Sequence, residues 1–162
     1  MKTILSRRRF VGSVSGAALL QGTGLGLLAK PLLAARATLS AEKLAEGVIC
    51  IHGAGANVVA LRDAAGLVFI DGGLKANSAE LLNFAQQQLG KGSLHALINT
   101  HWHPEHTGLN EHAGKQRAKI IAHESTRLWL STTVRYTPDG TPFLPLPMTA
   151  RPNATTYNSG EL

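Results

Sequence analysis

Apolar and polar positions divide the chain into three regimes. The first is an apolar stretch from Val11 to Leu28, diluted by glycine, serine, threonine and glutamine. From about Thr38, short apolar runs alternate with helical patterns. Residues 138–162 then hold five of the seven prolines and show no sustained periodicity. Within the middle regime, residues 47–52 and 57–62 predict strands. Asp63-Ala64-Ala65-Gly66 is a turn, and residues 67–71 return as an apolar strand, making a hairpin. Gly72 and Gly73 break the pattern. Asn77-Ser78-Ala79-Glu80 has capping-box form, with an Asx cap and a carboxylate three residues on. Leu82, Ala85 and Leu89 share one face of the helix it starts, and Gly90 is a plausible stop. Residues 94–100 and 119–122 read as further strands, and residues 125 to about 133 as a helix. The proline-rich stretch reads as a loop or extended arm. No internal repeat is visible.

Composition changes this picture mainly through where the charge lies. The formal net charge of +6 invites a polyanion partner. Yet six of the 16 basic residues and none of the 10 acidic ones lie in residues 1–37, which leaves ten of each in the remainder. The basic character belongs to the leader, and the neutral remainder argues against nucleic acid as a partner. A single cysteine, Cys50, excludes an internal disulfide framework. Its place in the run Val48-Ile49-Cys50-Ile51 favours a buried small hydrophobe over a reactive thiol.

Ser6-Arg7-Arg8-Arg9-Phe10-Val11 resembles the twin-arginine export signal, in which an arginine pair precedes a large apolar residue. Ala35-Arg36-Ala37 then offers the small-x-small pattern that a signal peptidase cuts. Residues 1–37 are therefore expected to be a signal peptide that meets the membrane only during export. The mature protein is expected to be periplasmic or secreted. The competing reading is an uncleaved N-terminal anchor, since the apolar stretch is just long enough to span a bilayer.

The densest chemistry lies after the strand that ends near Thr100. Thr100-His101-Trp102-His103-Pro104-Glu105-His106-Thr107-Gly108 carries three imidazoles and a carboxylate within six residues. In an extended turn His101 and His103 project the same way and can share one ion. Glu105 and His106 fall on the next turn of chain and can meet a second ion. This donor mixture suits Zn²⁺ or another borderline divalent metal. Two such ions lower the pKa of a bridging water and polarise a carbonyl or phosphoryl oxygen.

The loop resembles the Thr-His-x-His-x-Asp-His-x-Gly hallmark of the metallo-β-lactamase superfamily. Phe69-Ile70-Asp71-Gly72-Gly73 before it and Ile120-Ile121-Ala122-His123-Glu124 after it are similar to the same family, so the resemblance runs in order over about residues 44–135. It implies an α+β fold, with residues 38–137 as the N-terminal αβ half of an αββα sandwich and residues 138–162 as a proline-rich arm. It implies His101 and His103 as ligands of a first zinc, and Glu105 and His106 as ligands of a second. It also implies Glu105 as the catalytic group that orients the attacking water. Asp71 supports the loop from behind the ligands, or is simply a turn aspartate before two glycines. His52, His95, His112 and His123 match no ligand position. The implied reaction is attack by metal-bound hydroxide on an ester, thioester, lactam or phosphoester of a small-molecule substrate.

Two departures qualify that expectation. Glu105 stands where the family has aspartate, and the extra methylene moves the carboxylate by about 1 Å, enough to cost on the order of 10²-fold in rate. In addition, no histidine follows His123, and the only later aspartate is Asp139. The motif therefore supplies two donors per ion where catalytic zinc normally has three. Residues 38–162 are also about half of what a complete sandwich needs. The expectation is a truncated product, a half that self-associates, or one half of a split enzyme completed by a C-terminal partner. The alternative from a different class is a non-catalytic exported metal-binding or interaction fragment.

Replacing Arg7 and Arg8 together by lysine is expected to abolish export. The measurement is the periplasmic yield after cell fractionation, and an unchanged yield would reject the export reading.

Overall fold

A computed structural model describes residues 38–135 and 140–156. The leader, with Arg7 and Arg8, lies outside the described residues. The fold is mixed α and β. Among the described residues its sheet has seven strands, paired in chain order: β1 (Ser40–Ala45), β2 (Val48–His52), β3 (Val58–Arg62), β4 (Leu67–Ile70), β5 (Leu94–Asn99), β6 (Lys119–His123) and β7 (Ala154–Thr156). The first four strands are antiparallel, and β4 to β7 run parallel. Helix α1 (Ser78–Leu89) crosses from β4 to β5, and α2 (Asn110–Lys115) from β5 to β6. Helix α3 (Glu124–Trp129) follows β6 directly.

The register shows why the strands read as nearly continuous apolar runs. Ile49, Ala60, Phe69, Leu97 and Ile120 are successive cross-strand partners, forming one row across β2 to β6. Leu81, Leu82 and Ala85 of α1, with Leu109 and Ala113, join them in the core. Phe69 and Leu97 are fully buried, and each such side chain contributes about 2 kcal/mol by leaving water. The alternate positions form a second apolar row, Cys50, Val59, Ile70, Ile98, Ile121 and Ala154. Most of that row is half-buried. Both faces of the central strands are thus apolar, as expected where each face has something to pack against.

The hairpin turn closes through the Asp63 side chain, whose Oδ1 accepts the N–H groups of Ala65 at 2.7 Å and Gly66 at 2.8 Å. The expected capping box does not form at the start of α1. A 3-10 turn, Lys75–Asn77, runs into the helix, so Asn77 already has φ −99° and ψ −3° and is not extended as a cap must be. Its side-chain amide instead donates to the Ala54 carbonyl at 3.0 Å, and Ser78 Oγ donates to Lys75 O at 2.8 Å. Gly90 does end the helix, with φ +91°.

Helix α3 is shorter than the pattern predicts. It starts where His123 Nδ1 accepts the Ser125 N–H at 3.1 Å.

Three elements carry no periodic signal. Strand β1 is exposed along its whole length, and its Glu42 and Lys43 are the kind of charge that guards a sheet edge. Helix α2 is a turn and a half containing Asn110 and Gly114. Strand β7 lies in the stretch expected to be an arm. Asn153 secures it: its backbone N–H donates to Ile120 O at 3.0 Å, while its Oδ1 accepts the Ile120 N–H at 2.9 Å. One residue thereby imitates a strand partner just before the strand begins.

Gly108 is required by close approach. A Cβ there would collide with the backbone of Gly73, Leu74 and Lys75, whereas a Cβ on Gly92 would meet only the movable end of Arg62. Gly108→Ala is expected to cost about 3 kcal/mol in urea denaturation, with Gly92→Ala close to wild type. Equal stability of the two variants would refute this.

Candidate metal centre

Strands β4 and β5 are parallel neighbours, so their C-terminal ends lie side by side, and the histidine loop leaves from that edge. The position matches the general placement of sites at the carboxyl ends of parallel strands. Asp71, just after β4, has φ +65° and is only 6% exposed. Its backbone N–H donates to Ile98 O at 2.8 Å, and this link points its carboxylate at the start of the loop.

That carboxylate gathers the loop. Oδ1 accepts the Thr100 N–H at 2.9 Å and the Thr100 hydroxyl at 3.0 Å. Oδ2 lies 2.9 Å from the same hydroxyl and 2.9 Å from His106 Nδ1. The following glycines hold the far end: Gly72 N–H donates to His106 O at 2.7 Å, and Gly108 N–H donates to Gly73 O at 2.9 Å. From beneath, Asn99 Nδ2 donates to His106 O at 3.3 Å and to Asn110 Oδ1 at 3.0 Å, and Asn110 Nδ2 returns a bond to Asn99 Oδ1 at 2.9 Å. Both amides are buried, so this exchange satisfies groups that would otherwise be costly.

These bonds fix the tautomers of two imidazoles. An ionised carboxylate only accepts, so His106 Nδ1 carries the proton and its Nε2 keeps a lone pair. The Thr100 hydroxyl has one hydrogen, which Asp71 takes. His101 Nδ1, 2.9 Å from the same oxygen, must therefore donate, which leaves its Nε2 a lone pair as well. Burial, and the neighbouring imidazoles of His106 and His103, hold His101 below the ordinary histidine pKa against the opposing pull of Asp71 and Glu105. His101 stays neutral, the form that binds a metal, to a lower pH than an ordinary imidazole.

The rings of His101 and His103 are 4.5 Å apart, and those of His101 and His106 are 4.0 Å apart. Glu105 Oε1 lies 3.7 Å from His103 Nδ1. The structure thus brings His101, His103, Glu105 and His106 into one cluster above Asp71. Donor type, tautomer and protonation fit a divalent ion. The count does not: among the described residues, no group of three His, Cys, Asp or Glu is placed to hold one ion. The described residues supply a partial ligand set.

Three of the other histidines have local surroundings that can be described. His52 Nδ1 is 2.9 Å from Asn57 Oδ1, His123 caps α3, and His95 is exposed. The Asn99–Asn110 pair and the work of the Thr100 hydroxyl escaped the sequence reading. The one available signal was a pair of amides bracketing the motif.

A model of the metallo-beta-lactamase superfamily matches residues 53–150. The chain belongs to this superfamily. Among solved structures it is similar to BJP-1, a subclass B3 metallo-β-lactamase of Bradyrhizobium japonicum, at 16% identity and a TM-score of 0.60, over 75% of this chain and 46% of that one. It is also similar to a Cronobacter sakazakii metallo-β-lactamase with a HARLDQ motif, at 19% identity and a TM-score of 0.58, over 72% of this chain and 45% of that one. A third, described as the first B3 metallo-β-lactamase with an active-site glutamic acid, shares 24% identity at a TM-score of 0.53, over 62% of this chain and 39% of that one. At these identities the likeness establishes the fold. The chain spans less than half the length of each of the three. No curated protein sequence gives a significant match.

Asp71→Asn tests the gathering role, because asparagine tolerates a positive φ but loses the charge and one acceptor. Metal affinity, read by competition with a chromophoric chelator, is expected to fall about 10- to 100-fold. An unchanged affinity would show that Asp71 is only a turn residue.

Proposed function

We propose that the chain contributes the first ligand loop of a metal-dependent hydrolase that cleaves a small-molecule ester, thioester, lactam or phosphoester. The observation that carries this reading is the Asp71–Thr100–His106 network, which leaves Nε2 lone pairs on His101 and His106. A structural histidine cluster has no need of such a device. In this reading His101 and His103 hold a first zinc, and Glu105 and His106 a second. When bound, the ions supply Lewis acidity and a readily ionised water. Asp71 keeps the two imidazoles in their donating tautomers, and Glu105 accepts a proton from, and orients, the attacking water. Glutamate at 105 still suits binding but holds its oxygens about 1 Å further out than the family's aspartate, which weakens turnover more than affinity.

The missing donors would come from a complementary C-terminal half or from a second copy of the chain. Twin-arginine export to the periplasm or beyond belongs to the same proposal. That no three donors converge among the described residues favours a second reading, a non-catalytic exported metal-binding or interaction fragment.

Metal analysis and ester or nitrocefin hydrolysis by the full chain separate the two. The hydrolase reading expects close to two zinc equivalents and measurable turnover, from the chain alone if a second copy completes the site, or once a complementary C-terminal half is added. Substoichiometric zinc without turnover under both conditions would overturn it in favour of the fragment. In an active preparation, Glu105→Asp is expected to raise the rate more than the metal affinity.

A further inference from the structure

A cavity of about 140 Å³ opens beside the histidine loop. Trp102 and Pro104 of the loop line it, facing Trp129 at the end of α3 and Phe143 and Leu146 further along. The indole of Trp102 stacks on that of Trp129, with centroids 5.2 Å apart and planes 16° apart, and the Phe143 ring meets Trp102 edge-on at 6.3 Å. Trp129, Phe143 and Leu144 remain 47%, 37% and 73% exposed, so large apolar groups stand in water around the cavity. Surface of this kind, concentrated at one place, marks a binding site.

Size and chemistry narrow the occupant. An apolar cavity of roughly 150 Å³ stays dry and accepts a benzene-sized molecule. Aromatic walls favour a flat ring, which gains from offset and edge-on contacts beyond its buried area. The cavity does not favour an anion, because its one lysine, Lys75, is paired with Glu111 at 2.6 Å. It is also joined to the donor cluster: Trp102 meets the His103 ring edge-on at 4.8 Å. A group seated against Trp102 is therefore one ring away from His103.

We infer that this cavity is a subsite for a phenyl-sized flat apolar group, carried by the substrate whose reacting bond lies at the histidine loop. That the group belongs to a substrate rests on the hydrolase reading, while the preference of the cavity for an aromatic ring does not.

Both tryptophans of the sequence line the cavity, so the intrinsic emission of the full chain reports on it directly. Titration with benzyl alcohol, a neutral probe that avoids the metal donors, is expected to give a saturable emission change with Kd of about a millimolar, and methanol none. Phe143→Ala is expected to weaken binding about tenfold. Leu144→Ser, at an exposed position that leaves folding alone, weakens it by a smaller factor. Absence of saturation, an equal response to methanol, or unchanged affinity in both variants would overturn the assignment. So would turnover of acetyl and phenylacetyl esters at equal kcat/KM. Saturable binding without turnover of any ester, by the chain alone and with a complementary C-terminal half added, keeps the aromatic site and instead defeats the hydrolase reading.

Discussion

A single buried carboxylate organises the functional edge of this molecule. Asp71 sits at the end of β4 in a backbone conformation that most residues avoid. In return its two oxygens reach the first residue of the histidine loop and its last imidazole together. A charge at that depth is costly unless donors surround it, and the donors here are the loop's own backbone, hydroxyl and imidazole. The loop cannot adopt another shape without stranding the carboxylate. Its donor atoms are consequently set before any ion arrives.

The glycines on either side make that reach possible. Gly72 and Gly108 bring two stretches of backbone closer than any side chain would allow, and the hydrogen bonds between them turn the loop into a rigid shelf on the sheet edge. The Asn99–Asn110 exchange underneath joins the end of β5 to the start of α2. Chemistry at the loop therefore rests on the parallel half of the sheet and on the core under α1. It owes little to the exposed edge strand β1.

What was legible in the sequence follows the strength of each local signal. Strands β2 to β6 were readable because Ile49, Phe69, Leu97 and Ile120 mark a core face at the strand period. The donor cluster was readable because its members lie within six residues of one another. Strand β1 was silent because an edge strand exposed along its whole length has no apolar face to display. Strand β7 was masked by prolines that precede it without entering it, and by a pairing that depends on one asparagine side chain. Helix α2 is too short to show a period. The cap at Asn77 failed for a different reason. The residue type suits a cap, but the preceding turn was already helical, and composition alone cannot reveal that. Likewise the meeting of Trp102 with Trp129 depends on how α3 leaves β6, which no spacing encodes.

Strand order that follows chain order has a consequence for how the sheet is assembled. Each strand pairs with the one made just before it, so no strand waits for a distant partner. Each parallel pairing closes a single crossover, so the contact order stays below that of a sheet whose strand order departs from chain order. The sheet can grow by addition at one edge as the chain lengthens, with β4 and its carboxylate in place before the histidines of the loop emerge. Asn153 then acts as a latch at the growing edge, engaging Ile120 before Ala154 to Thr156 have anything else to hold.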